Sequence, residues 1–558
     1  MSFFSLSQLS GFFRPRLFDA LQGYNRARLT TDVTAGITVG IVALPLAIAF
    51  AIASGAKPEA GLFTAIIAGF LISALGGSRV QIGGPTGAFI VIVYGIIAQY
   101  GYANLLICTI MAGFMLLAMG AFRLGTLIKY FPRPLIIGFT NGIAVLIALS
   151  EIKDFFGLQT DALPAEFFHK IAVLWHALPS IDLPTLALAS ISALLIWFYP
   201  TTWAKRFPSP IVALVLGTAA VALFNLPVET IGTRFGGIPQ GLPEFTLPEF
   251  SIGELRHLIM PAFTIALLGA IESLLSAAVA DGMIEERHDP NQELMAQGIA
   301  NITTPFFGGL PATGAIARTA TNVRSGASSP VSGIVHALTL LLIILIAAPL
   351  AQYIPLASLA AILLIVSINM GEWEVFARIK TYPRQDAIVL LTTFVFTVIF
   401  DLTVAVEVGL LLAGIFFINN MTELSDVRLA DDNTHLQSSG EKYKSVPPGV
   451  LVYRLYGALF FGVVDKLENV LHQQHTEPEV LILNMSEVIS MDASALHVLE
   501  DLHKKLARRG KHLVLCGPHT QPYFLMHQAG FFERLGAANL SANMDDALTR
   551  AEDLLRRT

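Results

Sequence analysis

Apolar residues in this chain gather into long stretches that short polar stretches separate, from residue 33 to about residue 421. About twenty apolar residues cross a bilayer as a helix, and about ten cross half of it. The pattern predicts an α-helical polytopic membrane protein with about fourteen segments, arranged as seven plus seven. The segments fall at 33–53, 60–75, 86–99, 104–122, 130–150, 183–200, 208–226, 258–280, 291–307, 314–323, 330–350, 355–370, 384–402 and 403–421.

Two of these segments are too short to span a bilayer, and each begins at a Thr-Gly-Ala triplet. The first triplet, Thr86 to Ala88, follows Pro85, and the second, Thr313 to Ala315, follows Pro311 and Ala312. A helix that begins inside the membrane presents its free N–H groups and the positive end of its dipole there. Paired broken helices in corresponding halves are typical of inverted-repeat secondary transporters, whose substrate binds near the midplane. We therefore predict a 7+7 inverted repeat with its site between the two half-helices.

The composition of the chain changes after about residue 422, where charged residues become frequent again. Strand-like runs at 450–455, 480–485 and 512–517 alternate with a helix-like run after the first strand and a helix at 494–509. This βαβ alternation predicts a small cytosolic α/β domain. The predicted division is an N-terminal segment 1–32, a transmembrane domain 33–423, a linker 424–447 and the α/β domain 448–558.

Composition and charge support a membrane protein and exclude several other classes. Mean hydropathy is +0.65, and charged residues make up 14% of the chain, against about 25% in an average soluble domain. The net charge of -6 gives no basic surface for nucleic acid. Two cysteines, no metal-ligand cluster, no Walker loop and no nucleophile motif favour a protein that is not an enzyme and binds no cofactor or metal.

Orientation follows from the basic residues. The N-terminus lacks the features of a signal peptide and carries four arginines close to the first span. Threading the segments from a cytoplasmic N-terminus places most loop lysines and arginines on the inner side, as the positive-inside rule requires. We expect both termini in the cytoplasm, and we interpret residues 151–182 as an outer loop.

Two charged residues lie inside apolar segments and are the main candidates for function. Arg318 lies one turn into the second half-helix, and Glu272 lies in the span 258–280. A charge at such depth is costly unless it faces a cavity or a partner. Arg318 is interpreted as the fixed cation of an anion site, against the alternative of an arginine that extends to lipid headgroups. Glu272 is the candidate carrier of a coupling proton, against a structural hydrogen bond.

Four ordered motifs resemble the SulP anion permeases. They begin at Asp32, Gly84, Asn291 and Thr313, and they read D-x-x-A-G-x-T-V-G, G-P-T-G-A-F, N-Q-E-L-x-A-Q-G and T-G-A-I-A-R-T. The likeness covers nearly the whole chain from about 28 to 556. The stretch L-G-A-I-E-S-L-L around Glu272 is similar to the bacterial branch of dicarboxylic acid transporters.

The resemblance implies a core domain that holds substrate, a gate domain, elevator-like alternating access and a homodimer in the bacterial inner membrane. Carried over by motif, the anion site is implied to include Phe50, Gly87, Ala88, Ala315, Ile316, Ala317 and Arg318, with Glu272 close by. Many relatives carry a polar glutamine where this chain has Leu46, so one donor for a small, strongly hydrated oxyanion is missing.

The tail is similar to the STAS domain of that family and to anti-sigma-factor antagonists. Ser494 stands at the position that is phosphorylated in the antagonists, although Ala495 replaces the glycine that follows it there. The resemblance implies a regulatory site at Ser494 and an unknown cytosolic protein partner. A serine after Asp492 at a helix start is also typical of a cap.

Together these features predict a secondary active transporter of small anions, with proton-coupled uptake of dicarboxylates such as succinate or fumarate. The alternatives are a sulfate or bicarbonate transporter, with sodium as another candidate coupling ion, and a nucleobase permease, which Arg318 disfavours. A channel-like or signalling membrane protein that acts through its STAS domain is an alternative of another class.

Overall fold

The computed structural model describes residues 13–126, 131–160, 163–164, 166–204, 207–241, 243–248, 255–400, 402–429, 446–463 and 478–557. Its contacts divide the chain into two compact units, Met1–Leu410 and Leu411–Thr558. Much of the predicted N-terminal segment and of the linker, residues 1–12 and 430–445, lies outside the described residues. The domain boundaries at 32, 423 and 447 stay predictions.

Each of the fourteen predicted segments overlaps one α-helix among the described residues, and we number these helices in chain order. They are α1 (Arg26–Ala53), α2 (Pro58–Leu75), α3 (Phe89–Tyr100), α4 (Tyr102–Ala121), α5 (Arg133–Phe156), α6 (Leu183–Trp197), α7 (Ser209–Phe224), α8 (Leu255–Ile284), α9 (Pro290–Thr303), α10 (Ile316–Arg324), α11 (Val331–Ala351), α12 (Leu356–Met370), α13 (Arg384–Ile399) and α14 (Leu402–Leu424). A short helix, Arg16–Ala20, precedes α1, and further short helices lie between the fourteen at Phe167–Ala177, Thr201–Ala204, Ile231–Phe235 and Trp373–Ala377.

Helix length separates these segments into two groups. Among the described residues, seven helices are long and apolar enough to cross a bilayer, and an eighth is added if one bent pair counts as a single span. The other helices are shorter, and the two half-helices are among them, with 12 residues in α3 and 9 in α10. A helix that begins inside the membrane needs only about half of a spanning length.

The packing of the helices repeats itself between the two halves. Helix α1 packs on α11 and α8 packs on α4; α2 packs on α11 and α9 packs on α4; α5 packs on α13 and α12 packs on α6. Exchanging α1–α7 with α8–α14 turns each of these contacts into its counterpart. The chain therefore has the predicted inverted repeat. Helices α1–α4 and α8–α11 form the core group, and α5–α7 and α12–α14 form the gate group.

Small residues allow the core helices to approach closely. A Cβ added to Gly36 of α1 would lie 2.4 Å from the carbonyl oxygen of Ser332 on α11, and one added to Gly113 of α4 would lie 2.8 Å from the carbonyl of Gly298 on α9. Glycine faces of this kind let helix backbones pack in lipid, where the hydrophobic effect between helices is absent. Two helix contacts of the core, α1 with α11 and α4 with α9, thus both depend on glycine.

The segment predicted as an outer loop, 151–182, is partly helical, and its location outside the membrane stays a prediction. Helix α5 continues to Phe156, and residues Phe167–Ala177 form a helix of their own. Lys170 and Leu174 lie on its buried face, while Phe168 and Trp175 are exposed. The amphipathic pattern of so short a helix is hidden in sequence by the prolines and mixed charges around it.

Among its described residues, the second unit contains a five-stranded sheet with helices on both faces. Its strands, numbered after the two strands described below for the first unit, are β3 (Asp426–Leu429), β4 (Val450–Leu459), β5 (Val480–Met491), β6 (His512–Cys516) and β7 (Leu540–Ser541), in that spatial order. The strands are parallel except for β3, which pairs antiparallel with β4. One face packs against helices Ala493–Arg508, Thr520–Gln528 and Phe531–Leu535, and the other against Met544–Leu555.

This arrangement confirms the predicted α/β domain and adds one element to it. Strand β3 lies within the predicted linker, where its alternation is too short to be recognised in sequence. The helix-like run predicted between β4 and β5 falls largely on 464–477, outside the described residues.

Candidate functional site

Two short strands join the halves of the repeat inside the first unit. Strand β1 (Gly83–Gly84) pairs antiparallel with β2 (Thr313–Gly314), with Gly83 opposite Gly314 and Gly84 opposite Thr313. Helix α3 begins shortly after β1 and α10 shortly after β2. The strand pair therefore sets the two half-helix N-termini beside each other, and their first N–H groups have no partner within their own helices.

Glycine is required where the strands approach side chains from the opposite half. Gly84 has φ +145°, and a Cβ there would lie 2.7 Å from Nη1 of Arg318. A Cβ on Gly314 would lie 2.0 Å from Nε2 of Gln81. Each strand thus has a glycine at the position where a side chain from the other half of the repeat packs against it.

A cavity of about 440 Å³ opens beside this strand pair. All eight residues that the sequence singled out for substrate or coupling ion line it: Phe50, Gly87, Ala88, Glu272, Ala315, Ile316, Ala317 and Arg318. Residues from four different segments of the chain are therefore brought together. The roles of these residues in binding stay predictions.

Arg318 is held in the wall of the cavity by the first break. Its side chain is 2% exposed, and Nη2 donates to the carbonyl oxygen of Pro85. Its Nη1 has no hydrogen-bond partner among the described residues. The guanidinium therefore spans from α10 to Pro85 in the break before α3, and it adds a fixed positive charge where the two helix N-termini meet.

Glu272 faces the same cavity from α8. Its Oε2 accepts a hydrogen bond of 2.8 Å from the hydroxyl of Thr86 in the first break. Arg318 is near enough for the two charges to interact. Glu272 thus contacts the first break while belonging to the second half of the chain, and it lies away from the lipid face.

Buried hydroxyl and amide groups hold the second break in position. The Oγ of Ser273 on α8 lies 2.7 Å from the Oγ1 of Thr313 and accepts from the N–H of Gly314 at 3.2 Å. The amide of Asn301 on α9 bonds both the N–H and the carbonyl of Ala312, each at 2.8 Å. Satisfying these backbone groups is what allows non-helical chain inside a membrane protein.

The rest of the cavity wall includes many residues that sequence reasoning did not assign to the site. They are Leu46, Thr86, Ile136, Phe139, Thr140, Ile143, Leu275, Gly314, Val366, Asn369, Met370 and Glu372. Most of them are apolar, and the residues of α5 and α12 belong to the gate group. Leu46 lies at the position where the resemblance expects glutamine, so that donor is replaced by apolar surface.

One end of α5 marks the mouth of the cavity. Glu372 lines the cavity, and its Oε2 lies 3.5 Å from Nη2 of Arg133. Both side chains are exposed. The N–H of Glu372 donates to Oδ1 of Asn141 at 2.9 Å, which fixes the turn after α12. The cavity therefore opens on the side of Arg133, which the sequence predicts to be the cytoplasmic side.

Ser494, the regulatory candidate, lies in the second unit. It is exposed in the first turn of helix Ala493–Arg508. The cap of that helix is Asp492, whose Oδ1 accepts from the N–H of Ala495 at 2.9 Å. Ser494 is thus not the cap, and its phosphorylation stays a prediction.

Comparison with known families decides the class of the chain. The model of the sulfate permease family matches residues 29–393, and that of the STAS domain matches residues 443–547. The chain belongs to the sulfate permease family. As a member of that family, it is a multi-pass membrane protein that transports anions and carries a C-terminal STAS domain.

Curated members of the sulfate permease family resemble the chain over nearly its whole length. "Putative sulfate transporter YvdB" of Bacillus subtilis (strain 168) is 44% identical over 95% of this chain and 99% of its own. "Bicarbonate transporter BicA" of Picosynechococcus is 31% identical over 93% of this chain and 94% of its own.

Solved structures of the sulfate permease fold agree with the architecture described above. The transmembrane domain of a cyanobacterial bicarbonate transporter BicA matches with a TM-score of 0.64 and 34% identity, over 69% of this chain and 98% of its own. Murine Solute Carrier 26 family member A9, in its inward-facing state, matches with a TM-score of 0.86 and 18% identity, over 99% and 96%. The second likeness shows the fold alone.

Proposed function

We propose that this sulfate permease takes up dicarboxylates, such as succinate or fumarate, by secondary active transport. The observation that carries the proposal is the cavity, which combines one buried guanidinium, Arg318, and two helix N-termini with predominantly apolar walls. A small oxyanion such as sulfate needs many hydrogen-bond donors to replace its water. An organic anion needs donors only at its carboxylates and has carbon to place against Leu46, Phe50 and Ile316.

Protons are the proposed coupling ion, and Glu272 is the proposed carrier. The carboxyl lies in an apolar span, contacts the first break through Thr86 and lies near Arg318. Ionisable groups in such positions are the usual members of proton relays in transporters. Protonation of Glu272 would leave the positive charge of Arg318 free to balance a bound carboxylate, so proton and anion would bind together.

The proposed motion is an elevator-like displacement of the core group against the gate group, in a homodimer in a bacterial inner membrane with both termini cytoplasmic. In support, all of the predicted binding residues belong to the core group, whereas the cavity wall opposite them comes from the gate group. The cavity also opens at the predicted cytoplasmic end of α5, as expected for an inward-facing state.

A second candidate is the uptake of sulfate or bicarbonate, with sodium as the alternative coupling ion. The relatives favour it, because one similar to this chain is named a putative sulfate transporter and another a bicarbonate transporter. The dicarboxylate proposal rests on the lining of this chain's own cavity, and the two candidates differ in their substrates and in their coupling ions.

Counterflow in proteoliposomes tests the substrate directly. Purified protein is reconstituted with unlabelled anion inside, and entry of labelled succinate, fumarate, sulfate and bicarbonate is followed. We expect succinate and fumarate to exchange and sulfate to exchange poorly. Exchange of sulfate or bicarbonate without succinate would replace the first candidate by the second.

The same assay without the tail tests the signalling alternative. A protein that ends after about Leu424 retains both half-helices, Arg318 and Glu272, so it is expected to exchange anions at an altered rate. A full-length protein that catalyses no exchange of any of the four anions would favour a signalling role for the STAS domain.

A further inference from the structure

Tyr94 on half-helix α3 connects the core group to the loop that follows α5. Its hydroxyl donates a hydrogen bond to the carbonyl oxygen of Leu163. On another side, its ring packs near Gly55, between α1 and α2, where an added Cβ would lie 3.3 Å from the ring. Tyr94 is thus packed against its own core group, and its hydroxyl is hydrogen-bonded to a residue outside that group.

Lys170 adds a second contact to the same tyrosine. Its Nζ lies 5.2 Å from the centroid of the Tyr94 ring, within the range of a cation–π interaction. The lysine belongs to helix Phe167–Ala177, which packs on α5 and α13 of the gate group. The contact therefore joins a core helix to a gate-side helix.

The lysine is buried and has a nearby negative charge. Lys170 is 7% exposed and Glu151 of α5 is 6% exposed, and the two charges interact. A buried ammonium is costly unless other groups compensate for it. The ring of Tyr94 and the carboxylate of Glu151 are two such groups, so withdrawal of Tyr94 would remove part of the compensation.

These contacts lie at the end of α5 opposite the mouth of the cavity. Arg133 begins α5 beside the mouth, and Glu151 lies five residues before its end at Phe156. At about 1.5 Å per residue, the intervening turns separate the two by most of the thickness of a bilayer. The cavity is thus open near Arg133, and the core and gate groups are joined on the far side.

We propose that Tyr94 and Lys170 are positioning residues for transport, which hold the far side closed in this state and must separate in each cycle. Helix α3 carries the contact at its middle and the predicted anion-binding N-terminus at its start. Displacement of the anion site toward the far side therefore displaces Tyr94 from Leu163 and Lys170. This inference rests on the proposed elevator-like motion.

Accessibility of a cysteine in the cavity tests the inference. The sequence contains two cysteines, Cys108 and Cys516, and both are buried, so the variant Leu275→Cys supplies a reporter in the cavity wall. Its labelling by a membrane-impermeant maleimide added on the far side is measured in proteoliposomes, with and without succinate. Tyr94→Phe removes the hydroxyl, and Lys170→Met removes the charge.

Both variants are expected to raise the far-side labelling rate at least about threefold, because a closed state that loses contacts becomes less populated. Lys170→Arg, which keeps the charge, is expected to restore the parent rate, and Tyr100→Phe on the same helix serves as the matched control. Monodisperse elution in detergent checks that each variant is folded.

Two outcomes contradict different parts of the account. If succinate changes the labelling of the parent reporter but Tyr94→Phe and Lys170→Met label at the parent rate, the positioning role is wrong and the motion remains. If the far-side labelling of the parent does not respond to any anion that exchanges in counterflow, the proposed motion is wrong, and this inference with it.

Discussion

The two breaks in the membrane unit share a backbone and differ in their side chains. Strand β1 leads to the uncharged half-helix α3, whereas β2 leads to α10, which carries Arg318. The first break supplies acceptor and donor groups to the second half: the carbonyl of Pro85 bonds Arg318, and the hydroxyl of Thr86 bonds Glu272. An inverted repeat can therefore keep a symmetric fold while one half provides the charged side chains and the other half forms hydrogen bonds with them.

The largest effect is expected from the charge itself. Arg318→Ala is expected to lower anion affinity by more than about 100-fold, as truncation of a buried hydrogen-bonded charge does. Arg318→Lys is expected to restore part of it, since a point charge replaces a planar fork. Binding is measured by titration of the purified protein, and Arg324→Ala, an exposed arginine on the same helix, is the control. Parent affinity in Arg318→Ala would mean that α10 contributes no charge to the site.

Glu272→Gln separates binding from coupling. The amide mimics the protonated acid, so counterflow is expected to continue while accumulation driven by a pH gradient is lost. Uptake is compared at equal and unequal pH across the membrane. A normal response to the gradient would move the coupling role to another residue, and a misfolded variant would favour a structural hydrogen bond.

Two glycines of the first break are expected to differ in their tolerance of a side chain. Gly84→Ala places a Cβ 2.7 Å from Arg318 at a positive φ, so a destabilisation of about 1–3 kcal/mol is expected. At Gly87 the nearest atom to an added Cβ is 3.4 Å away, so Gly87→Ala is expected to cost less than about 0.5 kcal/mol. Thermal unfolding in detergent compares the two, and equal effects would show that the Arg318 approach does not constrain Gly84.

The smallest effect on transport is expected at the contact between the halves. Thr86→Val keeps the shape of the side chain and removes the donor to Glu272, and a hydrogen bond to a charged group contributes about 1.5–3 kcal/mol. Uptake driven by a pH gradient is expected to fall about two- to tenfold, with counterflow less affected. Thr140→Val, another threonine in the cavity wall, is the comparison, and equal losses in both variants would argue against a specific link between Thr86 and Glu272.

The sequence was informative where a residue differed from its neighbours in charge or in backbone preference. Prolines and glycines at the start of apolar runs located both breaks, and charges inside apolar spans located Arg318 and Glu272. These signals arise because lipid penalises unpaired backbone and buried charge. The family resemblance then added Phe50, which no local pattern distinguishes from other apolar residues.

The gate wall could not be predicted in the same way. Phe139 and Met370 face the cavity only because α5 and α12 pack beside the core group, and an apolar side chain on a cavity looks the same in sequence as one that faces lipid. The contact of Tyr94 with Lys170 likewise depends on a helix in a segment interpreted as a loop. Long-range packing, which leaves no local pattern, determines these positions.

A structure determined with the anion that exchanges in counterflow tests the central claim most directly. We expect the anion between the N–H groups that begin α3 and those that begin α10, with a carboxylate near Arg318 and the carbon chain against Phe50 and Ile316. An anion bound elsewhere, or bound in the same place in Arg318→Ala with unchanged affinity, would contradict the claim that the two breaks and the arginine form a single site.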